Sequence, residues 1–282
     1  SHRGSKDKEM IRFEQDESHI RMMVKKDGVS HKIDMHLKKN KAKGIAIDGI
    51  PIRKAAELFG IVNLVAFSPE DLNIIKNGPS ERRRFMDLEL CQLNKVYLQE
   101  LTSYNKVLNQ RNKLLKDISF QPGLTETLDV WDMQLVSYGK KIISLRRQFM
   151  EELGEIIRQI HSNLTGKKEE IRVTSVGPHR DDFCVQTNGI DIRKYGSPGQ
   201  QRTAALSLKM SEIYLVEKVT KDHPVLLLDD VLSELDSSRQ NYLLQSIHNI
   251  QTVITCTGLD ELIENNFSID RVFRVTEGKI DF

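Results

Sequence analysis

The apolar positions change spacing along the chain, and each spacing predicts a different element. Residues 10–52 alternate in short runs, at Met10-Ile11-Arg12-Phe13 and Ile20-Arg21-Met22. Asp27-Gly28 and Asp48-Gly49 punctuate them as hairpin turns, which predicts a β-meander. A short helix over 53–59 leads into the apolar run 61–67, a candidate buried strand. Ser68-Pro69-Glu70-Asp71 then has the form of a helix start. Ser68 is the cap, Pro69 takes the first position and Asp71 serves the third N–H.

The middle of the chain is periodic at three and four. Met86, Leu90, Leu93, Tyr97, Leu101, Tyr104 and Leu108 mark one stripe in residues 79–118. Leu128, Trp131, Leu135, Tyr138, Ile142, Leu145 and Phe149 mark another in residues 124–164. Such stripes are seams for a partner helix. With Gln121-Pro122-Gly123 as the turn, they predict an antiparallel helical hairpin whose arms are each ~60 Å long if unbroken. Pro79 opens the first arm and places Arg82, Arg83 and Arg84 in its first turn, where positive charge opposes the helix dipole. The offset is either structural, from Glu81, Asp87 and Glu89, or a phosphate or acidic surface beyond the helix.

Past a polar return at 167–170, residues 171–176 read as a strand. Gly177-Pro178-His179-Arg180-Asp181-Asp182 follows as a hydrogen-bonded loop, since Arg180 argues against a metal cage. Asn188-Gly189 then turns a hairpin. A helix beginning at Ser197-Pro198-Gly199-Gln200-Gln201-Arg202 is predicted to be amphipathic, with Ala205, Leu208, Ile213, Leu215, Val216 and Val219 on its apolar side. His223-Pro224 breaks it. The continuous run Val225-Leu226-Leu227-Leu228 predicts a strand buried on both faces of a parallel sheet. It ends in Asp229-Asp230, followed by Ser233-Glu234-Leu235-Asp236. A helix over 237–247, a strand at 252–254 ending in Thr255-Cys256-Thr257, and a hairpin from 271 to 282 close the chain.

Composition narrows the class. The 282 residues are 39% hydrophobic and 29% charged, with a formal net charge of +2. That describes a globular chain of about two domains, and the net charge neither demands nor excludes nucleic acid. Three widely spaced cysteines without a Cys-x-x-Cys pair read as reduced thiols of a cytosolic protein, not as zinc ligands. No run approaches the ~18 apolar residues of a membrane span. Local basic clusters, Lys38, Lys39, Lys41 and Lys43 at a hairpin tip, Arg82–Arg84, and Lys140, Arg146 and Arg147 on the helical hairpin, are either solvated faces or phosphate contacts on DNA.

The chemistry concentrates between Ser197 and Asp236. A Ser-x-Gly turn at a helix N-terminus offers backbone N–H groups, a hydroxyl and the positive end of the dipole to an anion. An acid at the end of a buried strand can hold Mg²⁺, and a second beside it can polarise a water. Each feature alone is an ordinary capped helix or strand end; their order and spacing point to a nucleotide. Against this, the chain contains no Gly-x-x-x-x-Gly-Lys-[Ser/Thr], and it opens at Ser1-His2-Arg3 without Met.

This order of motifs resembles the ABC-type ATPase heads of the SMC and Rad50 class. Pro69-Glu70-Asp71-Leu72, the run from Gly78 to Asp87 and the run from Gly177 to Asp182 narrow the resemblance to the RecF family of bacterial repair proteins. The resemblance implies an α/β fold: an ABC-type ATPase head, mixed sheet plus β-meander, with an inserted α-helical hairpin lobe. It divides the chain into the first part of the ATPase lobe (1–77), a helical lobe (78–166) and the second part of the ATPase lobe (167–282). It implies ATP and Mg²⁺ as cofactors and, since such heads hold phosphates in a glycine-rich loop, a strand–loop–helix expected ahead of Ser1. Ser197 and Gly199 become contacts to nucleotide held by a second subunit, Gln200, Gln201 and Arg202 belong to the same turn, Asp229 is the Mg²⁺ ligand and Asp230 the general base. Asp236 lies near the dimer seam, and Thr255 or Thr257 stands where such heads place a histidine. No Gln couples strand 61–67 to the helical lobe as such heads usually require. The implied activity is an ATP-dependent homodimer that clamps double-stranded DNA or single-/double-strand junctions, a weak DNA-dependent ATPase when intact, acting in the SOS response and replication restart with RecR and RecO. The rivals are a non-enzymatic DNA- or protein-binding scaffold and a Rad50-like head. The short helical insert and the absence of a Cys-x-x-Cys hook disfavour the second.

Overall fold

The computed structural model describes residues 6–26, 28–175, 182–256 and 269–281. The expected meander is present as four antiparallel strands in sequential order: β1 Glu17–Lys26, β2 Val29–Lys38, β3 Lys41–Ile47 and β4 Ile50–Ile52. Asp48 and Gly49 both have positive φ, 53° and 83°, the requirement of a two-residue turn whose twist matches its strands. Ile33, Leu37 and Ile45 bury one face of the sheet. The expected strand at 10–13 is absent. A 3-10 helix at Asp7–Met10 precedes a turn in which Gln15 N–H donates to Arg12 O, and Glu14 is left-handed at φ 66°. Four alternating residues interrupted by such a turn cannot enter the ladder.

A second sheet is parallel, in the order β10-β9-β5: β5 Leu64–Phe67, β9 Val225–Asp229 and β10 Thr252–Thr255. β9 is central and paired on both edges; Leu226 and Leu228 are buried on one face, and Val225 and Leu227 are half-buried on the other. β5 is shorter than the run 61–67 suggests, because Gly60 at φ 89° and an isolated bridge from Phe59 to Val62 hold the preceding chain in a turn. The helix expected over 53–59 is a single 3-10 turn, Ala55–Leu58.

Behind this sheet runs α6 Pro198–Thr220, numbered after α1 Leu72–Lys76, α2 Pro79–Leu93, α3 Lys95–Ile118, α4 Leu128–Leu164 and α5 Ile192–Tyr195. It is not amphipathic. Every residue from Thr203 to Ile213 is buried, as in a helix enclosed on all sides. Ala204, Ala205, Ser207 and Ser211 keep it slim where neighbours approach. α7 Ser237–Ser246 covers the sheet as well, with Leu243 and Leu244 buried against it. β6 Ile171–Ser175, β7 Phe183–Thr187 and β8 Ile190–Asp191 form a small antiparallel sheet, and β11 Arg274–Thr276 pairs with β12 Lys279–Asp281.

The helical region departs from a two-helix hairpin in one place. The stretch 79–118 breaks at Asn94, whose backbone is extended (φ −137°, ψ 104°) and whose Oδ1 accepts from Val96 N at 2.9 Å and Tyr97 N at 3.0 Å. An Asn cap starts α3 afresh. α4 runs 37 residues, about 55 Å, and packs along α3, α6 and β6. Two apolar cores result. One joins Phe85, Met86, Tyr97, Phe149 and Leu153 of the helices to Phe183 of β7 and Leu208 of α6. The other joins Val65, Phe67, Leu226 and Leu228 of the parallel sheet to Met210 and Val216 of α6. α6 belongs to both, so the sheet and the helices are built on one shared element. Each fully buried side chain of this kind contributes roughly 1.5–3 kcal/mol.

Candidate functional site

The carboxyl edge of the parallel sheet gathers three of the expected residues. Register sets Thr255 of β10 beside Asp229 of β9. The Thr255 hydroxyl donates to Asp229 Oδ1 at 2.7 Å and accepts from Asp230 N–H at 3.2 Å. Thr255 therefore orients the two acids, and it stands exposed at the strand end. Thr257 lies outside the described residues. Asp230 is left-handed at φ 54°, a conformation that Asp and Asn tolerate far better than most residues. Ser233 Oγ lies 2.9 Å from Asp230 O and 3.1 Å from its Oδ1, so the turn after the strand fixes this carboxylate. Both acids are half-buried.

The Ser197 turn is a second, distinct group at the N-terminus of α6. Ser197 Oγ accepts from Gln200 N at 3.2 Å, and Gln200 Oε1 accepts from Ser197 N at 3.0 Å, a reciprocal capping box. Gln201 Nε2 donates to Ile192 O at 2.8 Å, pinning the turn from behind. Both glutamines hold the turn, while Ser197, Pro198 and Gly199 stay exposed. Gly196 is required by packing, since a Cβ there would meet Ile192 O at 2.5 Å. Gly199 is not: a Cβ would find only Ser197 Oγ, at 4.0 Å, and its φ is not positive. Arg202 pairs with Glu234 at 2.9 Å and so ties the helix to the turn beyond the acids. Asp236 caps α7, accepting from Arg239 N at 3.0 Å. That bond, with the Arg239 guanidinium, holds its carboxyl below the usual range.

Sequence reasoning missed the groups behind this turn. Gln200 Nε2 donates to Glu169 Oε1 at 3.1 Å, and Glu169 Oε2 lies 3.4 Å from Nε2 of His161, a fully buried residue of α4. His161 Nδ1 meets Ser207 Oγ at 2.9 Å. Burial pushes the imidazole pKa down, against the pull of Glu169. A chain of polar contacts thus joins the helices to the Ser197 turn, but nothing local in a polar return marks Glu169 for it. Lys209 and Glu212 did carry a signal, a charged pair at i, i+3 in an apolar run. They meet at 2.6 Å inside α6, with Lys209 over the rings of Phe67 and Phe85 and Glu89 of α2 beside them. Burial raises the pKa of both glutamates.

The basic candidates divide. Arg82 is buried, and its guanidinium takes Asp182 in two bonds, at 2.6 and 3.0 Å, and the carbonyls of Ile74 and Asn77. Arg146 bonds Asp87 at 2.6 Å and the Tyr97 hydroxyl at 2.8 Å, joining α2, α3 and α4. Both are internal ties, and burial takes Arg82 out of reach of DNA. The remainder of the 177–182 loop lies outside the described residues. Arg84, Lys140 and Arg147 are exposed and Arg83 is half-buried. Lys38, Lys39, Lys41 and Lys43 stand at a hairpin tip, and Lys38, Lys39 and Lys43 are paired with Glu17, Asp16 and Asp7 at the surface.

A parallel sheet with paired acids at its carboxyl edge, a capped Ser-x-Gly-Gln-Gln helix start and a long helical insertion between β5 and β9 define the class: an ABC-type ATPase head of the SMC kind. A solved Smc head bound to the C-terminal winged-helix domain of ScpA superposes with a TM-score of 0.53 over 89% of this chain and 69% of its own, at 13% identity, which establishes the fold alone. Within that class the chain belongs to the RecF family of DNA replication and repair proteins. The protein of that name from Agathobacter rectalis is 58% identical over all of this chain and 85% of its own length. A solved structure described as the recombination mediator protein RecF-ATPrS in the RecFOR pathway superposes with a TM-score of 0.89, at 33% identity, over all of this chain and 84% of its own. No family model matches the chain. Among the described residues, no helix is long and apolar enough to cross a membrane.

Proposed function

We propose that this chain is the head of an ATP-dependent DNA-binding protein of recombinational repair and replication restart, and that two copies close around nucleotide to hold double-stranded DNA. The observation that carries the proposal is the Ser197 turn: rigid, exposed, and bearing a glycine at 199 that its own fold does not require. An outside group that comes close to the backbone accounts for that glycine. The donor set fits a phosphate at α6 and a divalent cation at Asp229. Bound Mg²⁺-ATP would supply a phosphoanhydride and the charge that draws two copies together. Asp229 would hold the cation, oriented by Thr255. The Asp230 carboxylate, held by Ser233, would take the proton of a water. Ser197 and Gly199 would cover the nucleotide of the other copy, with Asp236 near the seam. Turnover is slow in this reading, because Asp230 is a methylene shorter than the Glu of most such heads. Exposed Arg84, Lys140, Arg147 and the 38–43 hairpin tip are the candidate phosphate-backbone contacts to DNA. The family membership favours RecR and RecO as partners and the cytoplasm as the place of action.

Light scattering with and without Mg²⁺-ATP tests the proposal, on this chain and on one carrying a phosphate-loop segment ahead of Ser1. The longer chain should dimerise on ATP. Ser197→Arg should abolish the dimer without altering circular dichroism, and Asp230→Asn should trap it. A chain that stays monomeric throughout would leave the non-enzymatic scaffold as the better reading.

A further inference from the structure

The outer face of the meander carries a cluster unrelated to the acid edge. Antiparallel register sets His19 directly opposite His36 and Glu17 opposite Lys38. Residues two apart on a strand share a face, so all four side chains converge on the polar side of the sheet, away from Ile33 and Leu37. The two imidazoles stack, centroids 3.8 Å apart and planes 24° apart. Both turn Nε2 toward one carboxylate: His36 Nε2 lies 2.9 Å from Glu17 Oε2, and His19 Nε2 lies 3.9 Å from Glu17 Oε1. One ligand atom from each of the three residues falls within 4.8 Å of the others.

We propose that Glu17, His19 and His36 form a three-ligand site for a borderline divalent cation of the Zn²⁺ type. Two neutral nitrogens and one anionic oxygen are the donor set such ions prefer, whereas Mg²⁺ and Ca²⁺ favour oxygen alone. Metal–nitrogen bonds of about 2.1 Å place tetrahedral ligands about 3.4 Å apart. The His36–Glu17 pair must therefore open by roughly half an ångström and the His19–Glu17 pair close by about as much, while the stacked rings splay to converge. His19 and Glu17 have room to do so, with side chains 67% and 51% exposed. The Glu17 carboxylate already meets both His36 and Lys38. Three protein ligands leave a position for water or a small anion. Lys38 is the competitor. Its Nζ lies 3.4 Å from Glu17 Oε2 and must swing into solvent before the ion enters.

The test is zinc titration by calorimetry of the full 282-residue chain without an affinity tag, with cobalt(II) absorption as the reporter of coordination. One equivalent should bind, with the visible bands of four-coordinate cobalt. His36→Ala and Glu17→Gln should each weaken binding by at least about tenfold, the least that loss of a group supporting a metal site costs. Lys38→Ala should tighten it, since a competing positive charge is gone. No uptake by the wild type overturns the proposal, as does uptake that survives His19→Ala/His36→Ala. Weaker binding in Lys38→Ala overturns it too. All four side chains lie at the surface, and unchanged circular dichroism of the variants separates loss of ligand from loss of fold.

Discussion

Arg82 stands in the first turn of α2, where its charge opposes that helix's dipole, and it resolves the conflict by serving α1 instead. Its guanidinium caps the carbonyls of Ile74 and Asn77 at the end of α1 and grips Asp182 across 100 residues of sequence. Removing one partner of a buried, hydrogen-bonded ion pair strands the other. Arg82→Ala should therefore cost about 3–5 kcal/mol in urea unfolding, while exposed Arg84→Ala should change stability by less than about 0.5 kcal/mol. Equal costs would place Arg82 at the surface. The sequence marked the anomaly, three arginines against a dipole, and admitted an acidic surface among the answers. It could not separate Arg82 from its neighbours, because the partner arrives from a loop with no local relation to α2. Asp229 and Asp230 were legible for the opposite reason, as the ends of an apolar run whose chemistry is local. The left-handed turn at Asp230 and the Thr255 bond that orient them were not.

At the scale of elements, α2 and α6 meet through charge as well as apolar contact. Lys209 faces Glu212, Asp71 and Glu89 in a buried site, so one positive charge serves three carboxyls, and burial raises the pKa of both glutamates. The sign follows directly. The glutamates' folded pKa values lie above the unfolded value near 4.5, so the folded state holds a proton that the unfolded state releases. Their contribution is fully present below pH 4.5 and is lost as pH rises through the raised range. Glu89→Gln removes the shared proton. The stability difference between variant and wild type should shift in favour of the variant as pH rises from 5 to 8, by up to about 1.4 kcal/mol per pH unit. A difference independent of pH would show both glutamates ionised. The same two helices show where periodicity misleads. The stripe through Leu93 and Tyr97 continues across Asn94 in phase, so nothing in the apolar spacing announces the break. α6 reads as amphipathic from its apolar spacing, yet it can be enclosed because its polar residues are small or paired internally, and neither property appears in a pattern of apolar positions.

Across the whole molecule, the order of elements was legible and their pairing was not. Alternation, turns and the three–four stripes are local signals. That β5 sits beside β9, with the helical region inserted between them in sequence, is a long-range fact which the chain discloses only through motifs typical of its class. This pairing, Leu64 with Val225 to Phe67 with Leu228, spans about 160 residues. Local helical contacts form far faster than pairings that must close such a loop. Refolding should recover helical ellipticity before the amides of Val225–Asp229 gain protection from hydrogen exchange; simultaneous recovery would mean that the sheet nucleates folding. During synthesis the same separation becomes a waiting time. At about 5–20 residues per second, roughly ten to thirty seconds pass between the emergence of β5 and that of its partner. Throughout that interval an apolar strand has no native neighbour, and the helices that will cover it are already leaving the ribosome. A nascent chain of this design is exposed to wrong pairing for the whole of that interval.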